Sequence, residues 1–198
     1  MKLRAVFFSL LVLVLLSSCF VGSSLVFFEA DAVGKPNLVH NPGFLPGKNA
    51  EQGLPGWTLI NIDEKMKIPV SYDTVSTAEG KTSLRFDPSE QDIVIVSDAF
   101  RVRRYGGYYI RANVRGTADL LKKVQLRFFT YNENGKQINK FQHKFMPGAD
   151  WDRYTISAGF IDTRSTFGRV ALVIPAFSKG SIWIDEVGAF DVHSFRID

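Results

Sequence analysis

Two segments of the chain alternate apolar residues with aromatic rings, guanidinium groups and amides, at 108–115 and 124–131. Sugars present CH-rich faces that stack on rings, and hydroxyl groups that bond to planar amide and guanidinium groups. The residues with these properties are Tyr109, Arg111, Asn113, Gln125, Arg127, Phe129 and Tyr131. We expect them to share one sheet face that binds a glycan. The alternative is an outer face whose arginine stems cover rings and which binds nothing.

A single carboxylate, Asp185, lies inside the apolar segment 181–187. Burying a carboxylate is costly unless it is hydrogen-bonded or holds a cation. Two interpretations stay open at this point. Asp185 accepts hydrogen bonds from turn amides, or it binds calcium together with backbone carbonyls of residues 41–45, since calcium takes carboxylate and carbonyl oxygens.

Residue patterns typical of catalysis are absent from the sequence. The three histidines, His40, His143 and His193, have no partner at metal-ligand spacing, and neither G-x-S-x-G nor H-E-x-x-H occurs. Most glutamates fall in turn-like segments, and no two stand out as the carboxylate pair of a glycosidase. We therefore expect a protein that is not an enzyme.

Short strands must position the candidate residues. The period-two alternation of the two segments marks half-buried strands, and β-branched and aromatic residues dominate several further runs. Asn134-Gly135 between apolar runs predicts a hairpin. No ten-residue stretch after Asn37 keeps a helical period. The sequence predicts an all-β fold of about eight to ten short strands, a β-sandwich or jelly roll. Trp57 is expected to plug its core.

The N-terminal segment predicts export. Lys2 and Arg4 precede the continuous apolar run 10–16. Three alternatives stay open: lipidation of Cys19 in a lipobox, cleavage after Ala32, or an uncleaved anchor. All place the domain outside the cytoplasm, secreted or lipid-anchored at the cell envelope. Residues 1–32 are thus expected to be signal or tether, 37–192 one domain, and 193–198 a tail.

The composition and net charge limit which kinds of partner the protein is expected to bind. Cys19 is the only cysteine, so the domain contains no disulfide bond. The formal net charge is +4, and the densest basic cluster, 101–104, is too small for a nucleic-acid footprint. We expect a monomer that does not bind nucleic acid, with a lipidated Cys19 as one possible tether to a membrane.

Six segments, taken together and in order, resemble carbohydrate-binding modules of families 4, 9 and 22. They are 37–44, 53–57, 80–84, 109–115, 151–154 and 182–187. The resemblance spans about 37–192 and implies a galactose-binding-like β-jelly roll that binds polysaccharide without catalysis. It also implies a structural Ca²⁺, with Asp185 at the family's closing aspartate, although Leu45 stands where the family often has glutamate. The alternative function is a protein-binding or structural cell-surface domain without glycan affinity.

Overall fold

A computed structural model of the chain describes residues 25–47, 53–60 and 68–195. Within these ranges the chain forms one short helix, α1 (Glu29–Ala32), and eleven strands. The strands are β1 (Trp57–Ile60), β2 (Val70–Asp73), β3 (Ser83–Phe86), β4 (Ile93–Ser97), β5 (Phe100–Arg101), β6 (Gly106–Gly116), β7 (Val124–Tyr131), β8 (Gln137–Phe145), β9 (Asp152–Ala158), β10 (Phe167–Ile174) and β11 (Ile182–Ser194).

Two antiparallel sheets make up the fold. Sheet A has six strands in the order β1-β4-β10-β7-β8, with β5 also paired to β10. Sheet B has five strands in the order β2-β3-β11-β6-β9. Strands that are distant in sequence, such as β3 and β11, are neighbours in a sheet, as in a jelly roll. The predicted all-β sandwich is confirmed.

The core lies between the two sheets and follows from alternation along each strand. On β7, Val124, Leu126 and Phe128 are fully buried, while the residues between them are partly exposed. On β6, Ile110 and Val114 face the same core. Because interiors are close-packed, we expect Phe128→Ala to cost about 3–5 kcal/mol of stability.

The first tryptophan fills one end of this core. Trp57 and Phe44 are both buried, and their ring centroids are 5.0 Å apart. The Trp57 Nε1–H donates to the carbonyl of Asn41 at 3.0 Å. The Asn41 amide donates in turn to the carbonyls of Leu45 and Pro55. The predicted core role of Trp57 is therefore confirmed, and its ring also holds the preceding turn.

Residues 25–36, which we call the strap, pack on the outer face of sheet B. The Phe27 amide donates to the Ser157 hydroxyl, which donates back to the Phe27 carbonyl. Ala32 is buried with Tyr109 and Phe190 in a small apolar cluster outside the main core. The strap, which overlaps the segment expected to be signal or tether, therefore covers an apolar surface of the domain.

The other predicted segments, the N-terminal signal and the C-terminal tail, lie partly outside the described residues. Residues 1–24, including Cys19, and residues 196–198 lie beyond the described ranges. His193 and Ser194, expected in a tail, belong to β11. In the part of the chain that the structure describes, no helix is long and apolar enough to cross a membrane.

Candidate functional site

The structure divides the seven predicted site residues between opposite faces of the sandwich. Sheet A carries the four on β7: Gln125, Arg127, Phe129 and Tyr131. Sheet B carries the three on β6: Tyr109, Arg111 and Asn113. Outer faces of packed sheets point away from each other, so the expectation of one shared face is wrong. Alternation shows which residues of one strand share a face, but not which strands share a sheet.

The three residues on β6 are already engaged within the protein. Tyr109 is only 3% exposed and packs against Phe190, with ring centroids 6.5 Å apart. Burial raises the pKa of the Tyr109 phenol, and the nearby Glu29 adds to this rise. A guanidinium nitrogen of Arg111 donates to Glu29 at 2.8 Å. These side chains help to dock the strap and do not line an open cleft.

Asn113 has the same structural role further along β6. It is 4% exposed, and its Oδ1 accepts a hydrogen bond from Nε of Arg153 at 3.0 Å. Arg153 also pairs with Glu29 of the strap and with Glu79. Asn113 therefore orients an arginine that joins the strap to a loop of sheet B.

A groove of about 560 Å³ runs over the outer face of sheet A. Three of the four predicted residues on β7 line it: Arg127, Phe129 and Tyr131. Strands β1, β4 and β10, the loop after β4 and the turn after β7 supply the rest: Ile60, Val94, Val96, Ala99, Asn132, Glu133, Gly135, Phe167, Arg169 and Ala171. The sequence analysis missed Phe167 and Arg169, because only the pairing of β10 with β7 places them there.

Aromatic rings and guanidinium groups lie side by side in this groove. The rings of Phe129 and Tyr131 have centroids 6.3 Å apart, and Phe167 is directly opposite Tyr131 on β10. Arg169 is directly opposite Phe129 on the same strand. Burial raises the pKa of the Tyr131 phenol, although Arg169 opposes the rise, so the hydroxyl keeps its proton at neutral pH.

Gln125 fixes the Arg127 guanidinium group. Its Oε1 accepts hydrogen bonds from Nε and Nη2 of Arg127 at 3.2 and 2.7 Å. A guanidinium has five N–H donors in one plane, so three remain for other partners. The predicted pair of Gln125 and Arg127 is thus a preorganised donor group at the groove.

The turn between β7 and β8 closes one end of the groove. Gly135 has a φ of +75°, a left-handed conformation that glycine adopts without strain. The Asn132 side chain accepts hydrogen bonds from the amides of Asn134 and Lys136. The predicted hairpin is confirmed, since β7 and β8 pair antiparallel around this turn.

A second polar cluster surrounds Asp185, which is fully buried. Its Oδ2 accepts hydrogen bonds from the amides of Ala78 and Glu79 at 2.7 and 3.4 Å, and its Oδ1 from the amide of Glu186 at 2.8 Å. The hydrogen-bonded alternative from the sequence is therefore present. Burial nonetheless raises the pKa of Asp185, and burial together with Asp185 raises the pKa of Glu186.

Two glycines leave space beside these carboxylates. The Oε1 atom of Glu186 lies 3.0 Å from where a Cβ on Gly43 would stand and 3.2 Å from one on Gly80. The Oδ1 atom of Asp185 lies 3.8 Å from both points. Two carboxylate oxygens thus converge in a cradle that side chains at Gly43 and Gly80 would fill. This donor set fits a cation, because hard cations take such oxygens.

The expected calcium ligands of the 41–45 turn are mostly used elsewhere. The carbonyl of Asn41 accepts from Trp57, that of Pro42 from the Val187 amide, and that of Leu45 from Asn41. The Leu45 side chain is exposed. No group of three or more His, Cys, Asp or Glu side chains is placed for a metal in the described ranges. Glu186 was missed because its orientation depends on a backbone φ of +47°, which nothing in the sequence signals.

Three further side chains with rings, Trp183, His143 and His193, do not line the groove. Trp183 lies on sheet B with the guanidinium groups of Arg85 and Arg115 at 5.6 and 4.8 Å from its ring centre. His143 on β8 contacts the Thr155 carbonyl, and His193 lies at the end of β11. The two histidines therefore lie on strands of different sheets.

Comparison with known proteins identifies the class of fold. No family model matches the chain, and no curated protein matches its sequence. A family 16 carbohydrate-binding module has a similar structure, with a TM-score of 0.57 and 15% identity over 77% of this chain and 99% of that one. A family 61 module solved with β-1,4-galactotriose has a TM-score of 0.50 and 18% identity, covering 79% and 99%. A family 4 carbohydrate-binding module has a TM-score of 0.51 and 12% identity, over 77% of this chain and 98% of that one.

The chain therefore has the β-sandwich jelly-roll fold found in carbohydrate-binding modules. Identities this low show a common fold, and a fold can carry different functions. What the groove binds must be argued from its own residues.

Proposed function

We propose that this protein binds polysaccharide without catalysis, outside the cytoplasm, through the groove of sheet A. The observation that carries the proposal is the row of Arg127, Phe129 and Tyr131 along one wall of that groove. The likeness to several carbohydrate-binding modules supports it, including one solved with a bound galactotriose.

Each group has a defined part in this proposal. The rings of Phe129 and Tyr131 stack on sugar faces, and successive same-face residues of a strand are about 6.6 Å apart, so each contacts a different part of an extended chain. Arg127, held by Gln125, donates to sugar oxygens. A shallow, wet groove of this kind gives a Kd on the order of micromolar to millimolar.

The proposed site therefore differs from the one expected from sequence. Gln125, Arg127, Phe129 and Tyr131 remain in it, and Phe167 and Arg169 join them. Tyr109, Arg111 and Asn113 are left out, because they contact the strap and Arg153 on the opposite sheet.

Affinity electrophoresis in gels containing different polysaccharides tests the proposal. We expect at least one polysaccharide to retard the protein, and Tyr131→Ala to lose most of that retardation. Tyr72→Ala is the matched control, because Tyr72 is an exposed ring on β2 of sheet B. If no polysaccharide retards the protein, or both variants behave like wild type, the groove is not a glycan site.

We also propose that Asp185 and Glu186 hold a structural Ca²⁺. The supporting observation is the convergence of their oxygens at the cradle of Gly43 and Gly80. A cation there relieves the repulsion between the buried Asp185 carboxylate and the half-buried Glu186 carboxylate. An ion that binds only the folded state stabilises it, so chelation is expected to lower the Tm.

Export and anchoring are proposed from the sequence. The apolar run 10–16 and the lipobox at Cys19 support lipidation, while the motif before Ala32 supports soluble secretion. Mass spectrometry of the mature N-terminus distinguishes them: a lipidated Cys19 gives a diacyl or triacyl adduct, and cleavage after Ala32 gives a chain that starts at Val33.

A further inference from the structure

Among the residues that the structure describes, five cations lie on the outer face of sheet A. Residues directly opposite each other in an antiparallel pair project to the same side of the sheet. Lys144 is opposite Gln125, Lys140 and Arg169 are opposite Phe129, and Arg101 is opposite Phe167. Together with Arg127, these residues form what we call the basic face: Arg101, Arg127, Lys140, Lys144 and Arg169.

The arginines of the basic face have neutral partners. Arg127 donates to the Gln125 amide oxygen, and Arg169 donates to the Ser97 carbonyl at 3.3 Å. The Arg101 guanidinium lies 4.6 Å from the centre of the Phe167 ring. In the ranges that the structure describes, none of these three arginines lies within 4.0 Å of a carboxylate.

Several arginines outside the basic face, in contrast, are neutralised by carboxylates. Arg111 and Arg153 pair with Glu29 on sheet B. Arg85 pairs with Asp87 at 2.9 Å and Arg103 with Asp191 at 2.6 Å. The protein therefore supplies acidic partners for these arginines and leaves the groove side cationic.

The acidic groups near the groove are few. Among the residues that line it, Glu133 is the one carboxylate, in the turn after β7. Asp98 follows β4 and lies 4.0 Å from His40. A concave surface with one sign of charge concentrates counter-ions, and a chain of anionic sugars is a counter-ion that also fits the rings.

We propose that the ligand of the groove is an anionic polysaccharide, one that bears carboxylate or sulfate groups along its chain. This inference rests on the proposed function and names its substrate class. Arg127 and Arg169 bind the anionic groups, since a guanidinium forms paired hydrogen bonds with carboxylate and sulfate oxygens. Phe129 and Tyr131 stack on the sugar rings between them, and Lys140 and Lys144 lie along β8 beside this row.

Matched pairs of polymers test this inference by calorimetry. Polygalacturonate is compared with its fully methyl-esterified form, and dextran sulfate with dextran, so that the two polymers of each pair share a sugar backbone and only one of them carries anionic groups. We expect a Kd at least about tenfold lower for one or both charged polymers, corresponding to about 1.4 kcal/mol. The two arms show whether carboxylate or sulfate is recognised. Raising the salt concentration should weaken the charged complex most, because salt screens exposed charges.

Variants separate groove recognition from diffuse attraction. Arg127→Gln and Arg169→Gln should each weaken binding of the charged polymer by about tenfold, in line with the worth of a charge-assisted hydrogen bond. Lys179→Gln is the charge-matched control, because Lys179 is exposed in the loop before β11. Tyr131→Ala should also weaken binding, since diffuse attraction does not need a ring. Thermal unfolding confirms that each variant is folded.

The outcomes distinguish this inference from the proposed function. If the neutral and charged polymers of each pair bind equally, the anionic ligand is refuted and polysaccharide binding stands. If none of the four polymers binds, the anionic ligand is refuted, and polysaccharide binding then stands or falls with the gels that contain other polysaccharides. The inference is also refuted if Lys179→Gln weakens binding as much as Arg127→Gln, or if duplex DNA binds as tightly as the anionic glycan.

Discussion

The packing of the strap on sheet B predicts that substitutions of two adjacent phenylalanines have different effects. The Phe27 ring lies against Gly107, where a Cβ would approach it to 2.4 Å, and stacks on His193 with centroids 6.2 Å apart. Phe28, the next residue, is 67% exposed. Phe27→Ala should therefore release the strap, whereas Phe28→Ala should leave it in place.

The magnitude follows from how much of the ring is covered. Truncating a fully buried phenylalanine costs about 3–5 kcal/mol, and Phe27 is only partly buried, so we expect about 1–2 kcal/mol. The ion pairs of Glu29 with Arg111 and Arg153 involve a half-exposed carboxylate and add at most about 1 kcal/mol to strap docking. These contacts are few enough for the strap to open without global unfolding.

Native-state hydrogen exchange measures this opening. The amide of residue 27 bonds to Ser157, and that of Leu38, just after the strap, bonds to the Ala189 carbonyl. In Phe27→Ala, exchange of the residue 27 amide should accelerate about 5- to 30-fold, as expected for 1–2 kcal/mol, with Leu38 less affected. If Phe27→Ala and Phe28→Ala exchange at equal rates, the strap is not held by this ring.

The remaining predictions concern the cation cradle and the first tryptophan. Chelator should lower the Tm of the wild-type protein but not that of Glu186→Gln. Glu90 is exposed, so Glu90→Gln is the control and should respond to chelator like wild type. A wild-type Tm that chelator leaves unchanged would argue against the ion. In chelator, Glu186 has a raised pKa, so the folded state binds more protons than the unfolded state and stability falls as pH rises above about 4.3. Glu186→Gln should then be more stable than wild type at pH 7, and as stable as wild type below about pH 4.3. A difference in stability that does not change with pH would contradict the charge repulsion. Trp57→Phe loses the hydrogen bond to the Asn41 carbonyl and should cost about 1–1.5 kcal/mol in urea unfolding. Trp151, which is half-buried just before β9, is the control, and Trp151→Phe should cost less; equal losses would argue against a contribution of this bond.

The sequence was sufficient for the features that depend on local alternation. Period-two patterns identified β6 and β7 and divided their residues correctly into inner and outer positions. Asn134-Gly135 identified the β7–β8 hairpin, because this dipeptide adopts the required turn without strain.

Features that depend on long-range pairing were not predictable. Strands β6 and β7 are consecutive in the chain, yet β6 pairs with β9 and β11, and β7 with β8 and β10. A strand pattern has no information about its partner, so residues of the two strands were assigned to one face. The strap was missed for a related reason. Its apolar residues resembled part of an export segment, and the surface that they cover exists only after sheet B forms.

The strap and the groove lie on opposite sides of the sandwich. The strap lies on sheet B, whereas the groove opens from sheet A. If Cys19 carries a lipid, five residues separate it from Leu25, and the six Cα–Cα steps between the two reach at most about 22 Å when extended. The membrane would then lie close to the sheet B side, with the basic face turned outward. The docked strap would thus orient the domain on the membrane, so that long polymers in the surrounding medium can reach the groove.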